Sequence, residues 1–212
     1  MIRQFPPLEF ADPEYGLLAI GGDLEVGSLE LAYRSGIFPW PERAGQILWF
    51  APPQRAVLFF EEFHIPRRLQ RHLRHAPFTF RIDQDFPAVI RHCAASKNRG
   101  RQRGTWIIPE MIPAYIDFHR AGFAQSFEAY NPAGKLVGGL YGVRIGRYFA
   151  GESMFYLESN ASKFALVNAV SYLRQEGLEW MDIQMLTPLL AQMGAREIPR
   201  DAFMKLLRAA LA

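Results

Sequence analysis

The sequence has very little of what several protein classes require. Its 212 residues contain one cysteine, Cys93, which excludes an internal disulfide and a thiolate-rich metal site. A run of about 18 apolar residues is missing, so no membrane span is predicted. The first residues, MIRQFPPLEF, lack the basic-then-apolar pattern of a secretory signal. We therefore expect a cytoplasmic globular protein that makes no contact with a membrane.

Familiar catalytic motifs are also missing. The sequence contains neither the GxSxG of serine hydrolases nor the phosphate-binding GxxxxGK[ST], and its five histidines show no metal-ligand spacing. The prediction is therefore that the protein uses no metal and no cofactor.

Negative charge is absent from residues 64–82, where arginine is concentrated. The pattern predicts a helix over 66–75 with leucines on one face and guanidiniums on the other. A charged face is most often simply solvated, but several guanidiniums repel one another unless an anion binds. The phosphate backbone of a nucleic acid is the natural anion, and we favour that interpretation. The face carries Arg67, Arg71 and Arg74, and a loop over 96–104 adds Lys97, Arg99, Arg101 and Arg103.

The order of predicted elements indicates an α+β fold. Residues 1–60 are rich in proline and glycine and look irregular, apart from a helix over 28–35 capped by Ser28. The rest reads as a helix, a strand, two helices, three antiparallel strands, a helix, a strand and two helices, an order typical of acetyltransferase-like (GNAT-like) mixed sheets. We predict a small N-terminal domain, 1–60, and a GNAT-like catalytic domain, 61–212. The predicted strands cover 78–82, 124–130, 135–143, 147–155 and 178–185, and the longer helices cover 85–95, 109–121 and 161–176, the last capped by Asn160.

Three polar side chains stand out in the predicted strands. Glu152 interrupts an apolar, glycine-rich run, and Asp182 and Gln184 lie two apart in one strand, which places them on one face. Polar pairs in strands are often just the wet side of a sheet. This strand lies between helices and is expected to be central, where an unpaired acid is costly. Two carboxylates and an amide in one cleft would bind a cation and orient an amine.

An acetyltransferase-like order also raises coenzyme A as an acyl donor. In that superfamily a glycine-rich turn with a basic residue holds the pyrophosphate. The corresponding junction here, YLESNASKF, has no glycine and carries Glu158, which argues against coenzyme A. A coenzyme A-dependent N-acyltransferase and a non-catalytic RNA-binding protein are the two alternatives. The acids in the strands count against the second, because binding a polyanion does not require them.

Several segments, in order across nearly the whole chain, carry a resemblance to a known family. They are GGDL, AYRSGIFPW, ILWFAPPQRAVLF, GTWIIPEMIPAY, LVGGLYGV, GESMF, NASKFALV, the Asp-x-Gln pair and MGAREIPRDAF. Together they resemble bacterial leucyl/phenylalanyl-tRNA–protein transferase, which moves leucine or phenylalanine from aminoacyl-tRNA to the amino terminus of a protein that begins with Arg or Lys, marking it for degradation. The resemblance implies a monomer with an acetyltransferase-like domain that works without coenzyme A.

The resemblance also implies roles for particular residues. Glu152, Asp182 and Gln184 would be catalytic and would receive the cationic acceptor terminus. We hypothesise that Asp182 hydrogen-bonds Gln184 and fixes its amide, which orients the attacking α-amine. Because glutamine is not a base at neutral pH, the proton would leave through Asp182 and water or through a ribose hydroxyl. The other assignments are an aminoacyl side-chain pocket of Leu140, Phe149, Met154, Leu166 and Met181, the 3′-adenosine contacts Trp49 and Trp106, and the acceptor-stem contacts Arg67, Arg71 and Arg74.

Two features complicate the assignment. In an ideal strand Met181 points away from Asp182, so a bulge is needed if both line one site. The chain also departs from the family pattern, because it has Phe123, Ala124 and Gln125 where a His-Ala-His stretch is expected. Leu189 likewise stands where many members have a histidine after Thr-Pro.

Overall fold

The computed structural model describes residues 1–41, 44–96 and 106–212. The basic residues predicted for the loop over 96–104 therefore lie outside the described residues. Within the described ranges, no helix is both long enough and apolar enough to cross a membrane.

A small three-stranded antiparallel sheet organises the N-terminal part. Its strands are β1 (Leu17–Ile20), β2 (Phe38–Pro39) and β3 (Leu48–Phe50), in the order β1-β3-β2. A 3-10 turn (Leu8–Phe10) precedes it, and helix α1 spans Val26–Arg34. The predicted start of this helix at Ser28 is wrong, because Ser28 is buried inside the helix. Its hydroxyl donates to Asp23 at 2.6 Å and accepts the Ile2 N–H at 2.7 Å instead of capping.

A seven-stranded mixed sheet forms the larger part. Its strands are β4 (Gln54–Phe59), β5 (Thr79–Ile82), β6 (Ala124–Tyr130), β7 (Leu136–Ile145), β8 (Tyr148–Tyr156), β9 (Trp180–Gln184) and β10 (Arg196–Pro199), in the order β10-β4-β9-β8-β7-β6-β5. Strands β8 and β9 are parallel, and the other neighbours are antiparallel. The prediction of an α+β class, with a small N-terminal part and a mixed sheet, is confirmed.

In the part of the chain that the structure describes, six more helices cover the large sheet. They are α2 (Arg67–Arg74), α3 (Phe86–Ala95), α4 (Met111–Arg120), α5 (Ala161–Gln175), α6 (Pro188–Ala191) and α7 (Arg200–Leu211). Helix α5 connects the parallel pair β8 and β9, as a parallel crossover requires. Asn160 does not cap α5 as predicted, because it has a left-handed backbone (φ 65°) and its side chain makes no capping hydrogen bond.

The sequence prediction missed five strands of the described residues, which are β1, β2, β3, β4 and β10. Strand β4 lies within residues read as irregular, yet it sits between β10 and β9 with Ala56, Val57 and Leu58 completely buried. A central strand reads as a continuous apolar run without alternation, so its periodicity gives no signal. The domain boundary at residue 60 stays a prediction. Because β4 belongs to the large sheet, the strand pairing favours a division before Gln54.

The large sheet separates two apolar cores. One face packs against the N-terminal part and helices α3, α4 and α7, and it includes Tyr148 and Trp180. The other face packs against α2 and α5, and it includes Phe149 and Met181. Neighbouring residues of β8 and β9 therefore face opposite cores, as the alternation of a strand dictates.

The glycines of β7 serve close packing. A Cβ on Gly138 would lie 2.5 Å from the Ala161 Cβ and 2.6 Å from its carbonyl carbon, where α5 begins. We therefore expect Gly138→Ala to lower the free energy of unfolding by about 1–3 kcal/mol, because the helix must shift to make room. Urea unfolding measures this loss, and an unchanged midpoint would show that α5 is free to move.

Candidate active site

Two irregularities in strand pairing shape the centre of the large sheet. Between β7 and β8 the register shifts so that Glu152 is an extra residue, and between β9 and β4 a second shift leaves Ile183 extra. Strands β8 and β9 are in register at Ala150 and Asp182. Bulges re-aim side chains and commonly lie beside active sites. The two bulges lie at a polar centre formed by Glu152 in the middle of β8 and by Asp182 and Gln184 at the end of β9.

Asp182 is completely buried and accepts four hydrogen bonds. Arg55 donates to it from Nε at 2.9 Å and from Nη2 at 2.7 Å, which makes a bidentate ion pair. The Tyr148 hydroxyl donates to Oδ2 at 2.7 Å, and the Gln184 backbone N–H donates to Oδ1 at 2.8 Å. With both oxygens occupied, Asp182 is an anchor for its neighbours. The geometry therefore does not support the predicted proton route through Asp182 and water.

Arg55 belongs to this centre, and sequence reasoning missed it. Its side chain is buried, with its guanidinium 4.5 Å from the Phe38 ring centre and 4.6 Å from that of Phe203. Nη1 donates to the Gly36 carbonyl at 3.2 Å. Burial lowers the pKa of Arg55, but the attraction of Asp182 outweighs burial and raises that pKa above its ordinary value.

Gln184 links the two acids. Its backbone is left-handed (φ 57°), which is uncommon for a residue with a side chain and is typical of functional sites. The backbone N–H is held by Asp182, and the side-chain Nε2 donates to Glu152 Oε1 at 2.6 Å. The hypothesis that Asp182 fixes the amide of Gln184 is therefore wrong in its detail: Asp182 fixes the backbone, and Glu152 fixes the amide.

Glu152 is buried with one oxygen left over. Its Oε2 has no hydrogen-bond partner among the described residues. Burial raises the pKa of Glu152 to about 8, against the opposing effects of Tyr33 and Gln184. The Tyr33 and Tyr115 hydroxyls pair at 2.6 Å, and burial together with the charge of Glu152 raises the pKa of both tyrosines, which sequence reasoning also missed. Glu152 is thus positioned to gain or lose a proton near neutral pH.

The five predicted pocket residues lie together in the core on the α5 face of the sheet. Leu140, Phe149, Leu166 and Met181 are buried, and Met154 is partly buried against them. Phe149 and Met154 share this face although five positions separate them, because the bulge at Glu152 resets the alternation. Met181 faces away from Asp182, as its strand position predicts. The Asp182 side chain and this apolar cluster therefore lie on opposite faces of the sheet.

Comparisons with known proteins lead to the same family that the ordered sequence segments resemble. The family model described as Leucyl/phenylalanyl-tRNA protein transferase matches residues 57–208, and the model of that family's N-terminal domain matches residues 22–53. The chain belongs to this family. It is a transferase, and the predictions of family and enzyme class are confirmed.

Relatives that carry the name of the family match almost the whole chain. The leucyl/phenylalanyl-tRNA–protein transferase of Dechloromonas aromatica is 49% identical over 98% of this chain and 88% of that protein. The one from Maridesulfovibrio salexigens is 44% identical over 98% of this chain and 85% of that protein. Among solved structures, FemX matches 84% of this chain and 70% of that chain with a TM-score of 0.49 and 10% identity. Membership of the transferase family favours neither the coenzyme A enzyme nor the inactive RNA-binding protein.

The two tryptophans assigned to the tRNA 3′ adenosine have different surroundings. Trp49 is buried, with its indole N–H donating to the Gly21 carbonyl at 2.8 Å and its ring 5.0 Å from Phe5. Trp106 stacks on Trp40, with ring centres 4.9 Å apart and planes at 14°. Trp40 is partly exposed and was not among the predicted site residues. Trp106 is also buried, so the partly exposed Trp40 is the ring of this stacked pair that solvent can reach.

The predicted basic face is present on α2. Arg67, Arg71 and Arg74 are exposed, and within the described residues they form no ion pair shorter than 4.0 Å. Leu69 is buried against the core on the α5 side, and Leu73 packs against the same core. The helix therefore presents unpaired guanidiniums outward, as its periodicity predicts.

The family's expected histidines are replaced by residues with local contacts. Phe123 stacks on Phe118 at 5.2 Å, and the Gln125 side chain accepts a hydrogen bond from Arg144 at 3.5 Å. Leu189 packs against the core on the α5 side. Over residues 1–41, 44–96 and 106–212, no three His, Cys, Asp or Glu side chains group in a way that could hold a metal ion.

Proposed function

We propose that the protein transfers leucine or phenylalanine from aminoacyl-tRNA to the amino terminus of proteins that begin with Arg or Lys. The observation that carries the choice of acceptor is the buried, unpartnered oxygen of Glu152 beside the Gln184 amide. A buried acid with one unsatisfied oxygen attracts a cation, and an acceptor that begins with Arg or Lys brings two. Action as a monomer stays a prediction from the family resemblance, and a cytoplasmic location stays a prediction from the sequence.

The reaction proposed for this site is the attack of an amine on an ester. The α-amine of the acceptor attacks the carbonyl carbon of the aminoacyl ester, a C–N bond forms, and the C–O bond to the terminal ribose breaks. The ribose oxygen leaves with a proton. One further proton must leave the α-ammonium before the attack, because its nitrogen has no free electron pair.

Glu152 is the group best suited to take that proton. Its pKa of about 8 lies near the pKa of an α-ammonium, and a catalytic base works best when its pKa is near the working pH. Gln184, held at its backbone by Asp182, would orient the amine. The apolar cluster around Phe149 and Met181 would hold the leucine or phenylalanine side chain, with the partly buried Met154 at its edge. Positioning of this kind can supply much of the rate.

The proposed donor binds through two surfaces. The exposed arginines of α2 suit the phosphates of the acceptor stem, and Trp106 with Trp40 suits a terminal adenine, since stacking contributes about 1–3 kcal/mol per base. A role for Trp49 requires that its ring become accessible, so Trp40 is the better candidate.

A direct assay tests the choice of acceptor. Purified protein is mixed with tRNA carrying labelled leucine and with peptides that differ in their first residue: Arg, Lys, Ala or citrulline. We expect label in the Arg and Lys peptides and at least about tenfold less in the other two, because citrulline has the shape of Arg without its charge. Equal labelling of the Arg and citrulline peptides would contradict selection by an acidic site.

A further inference from the structure

Arg55 joins three separate parts of the molecule. It lies on β4, its guanidinium is stacked between Phe38 of the N-terminal part and Phe203 of α7, and its fork holds Asp182 on β9. The side chain is almost inaccessible to solvent, with 1% of its surface exposed. A residue in this position cannot touch a substrate, so any effect on the reaction must pass through Asp182.

A chain of contacts leads from Arg55 to the reacting groups. Asp182 uses the oxygen that receives Arg55 Nε to hold the backbone N–H of Gln184 as well. That N–H belongs to the left-handed residue whose side chain reaches Glu152. A left-handed backbone at a residue with a side chain is strained and persists only where its surroundings enforce it. The Asp182 carboxylate is the group that enforces it here, and Arg55 keeps that carboxylate charged and oriented.

We infer that Arg55 is a positioning residue for the transfer reaction: its bidentate pair with Asp182 sets the conformation of Gln184 and so the direction of the amide that meets the acceptor. The inference rests on the proposed function for its kinetic readout. A lysine could not replace Arg55, because an ammonium has no planar fork and cannot hold both oxygens of Asp182 and the Gly36 carbonyl at once.

Arg55→Lys tests this inference. We expect kcat for leucine transfer to fall about tenfold while the KM for leucyl-tRNA changes less than twofold, because the tRNA surface is untouched. Arg200→Lys is the matched control, since Arg200 is a half-buried arginine at the start of α7 that binds the Ala51 carbonyl at 2.8 Å and does not touch Asp182. The control is expected to keep the kcat of the parent protein. Equal loss in both variants would assign Arg55 a merely structural role.

A double variant separates positioning from general support. If Arg55 acts through Asp182, then Arg55→Lys combined with Asp182→Asn loses no more activity than Asp182→Asn alone. Independent losses that multiply would overturn the inference. If Arg55→Lys does not fold, Phe203→Leu tests the same path, because it removes one of the two rings that hold the guanidinium. It is expected to lower kcat two- to fivefold, and an unchanged kcat would count against the inference.

Hydrogen exchange supplies a readout that does not depend on activity. We expect the backbone N–H of Gln184 to exchange at least about tenfold faster in Arg55→Lys than in the parent protein. Its exchange rate should be unchanged in Arg200→Lys. Exchange at the parent rate in Arg55→Lys would overturn the inference even in a protein that transfers nothing. If hydrogen exchange shows that Arg55 protects this backbone N–H but the parent protein labels no peptide, the proposed function is contradicted instead.

Discussion

Replacing Glu152 with glutamine is expected to make the protein more stable above pH 8 and nearly inactive. Glutamine keeps the size of the side chain and can still accept the hydrogen bond from Gln184. It cannot ionise or take a proton from the acceptor. The loss of a general base costs about 100-fold or more in rate. We therefore expect kcat to fall at least about 100-fold, with little change in the binding of aminoacyl-tRNA.

The stability part of this prediction follows from the raised pKa. Burial moves the pKa of Glu152 from 4.5 to about 8, so the folded protein holds a proton that the unfolded chain has already released. Folding then takes up a proton between these two pH values, and stability falls as pH rises through that window. Glutamine abolishes this loss. Above pH 8 the variant should gain up to about 5 kcal/mol, since each unit of pKa shift corresponds to about 1.4 kcal/mol.

Urea unfolding at pH 5 and at pH 8.5 measures the gain. The two proteins should differ little at pH 5 and most at pH 8.5. Glu128→Gln is the matched control, because Glu128 is also a completely buried glutamate in the same sheet, but three hydrogen bonds from Ser126, Tyr130 and the Asp85 N–H satisfy it. An amide there must leave donors unpaired, so the control should be less stable at both pH values and still active. Full activity in Glu152→Gln would remove Glu152 from the mechanism.

Local sequence patterns were sufficient to predict the antiparallel strands and the basic helix face. The three antiparallel strands before α5 follow one another directly, so their alternation and short turns identify them. The basic face of α2 follows from helical periodicity alone. The acid Glu152 was conspicuous because it interrupts an apolar run, and the Asp182–Gln184 spacing placed those two residues on one face, whereas their meeting with Glu152 was implied by the family resemblance. Each of these signals lies within a short stretch of sequence, where propensity and period are informative.

Long-range pairing decided what the sequence did not reveal. Arg55 lies 127 positions from Asp182, and nothing around the segment QRAVLF indicates that its arginine is buried in an ion pair. The bulge at Glu152 and the left-handed turn at Gln184 depend on how β7, β8, β9 and β4 come together. The role given to the Gln184 amide failed for this reason, since an ideal strand does not predict which group meets which carboxylate. The stacked Trp40 and Trp106 likewise meet only in the folded protein.

Reversing the charge of the α2 face is expected to separate tRNA binding from the chemical step. In a triple variant with glutamate at Arg67, Arg71 and Arg74, we expect the leucyl-tRNA concentration at half-maximal rate to rise about 100-fold or more, with kcat at saturation almost unchanged. The reason is that exposed guanidiniums bind phosphate by releasing counterions, and none of the three approaches the buried acids. Each lost contact should also reduce the slope of log affinity against log salt by about 1.

The matched control is Arg208→Glu, which makes the same charge change at an exposed arginine on α7, against the opposite face of the sheet. It is compared with the single variant Arg71→Glu, which changes the net charge by the same amount. Long-range attraction between the protein and tRNA depends on net charge, whereas binding at a contact surface depends on where the charge lies. If Arg208→Glu weakens tRNA binding as much as Arg71→Glu, the α2 face is only part of a diffuse positive field. A salt slope that falls by about 1 in Arg71→Glu and is unchanged in Arg208→Glu is the result that a defined acceptor-stem surface requires.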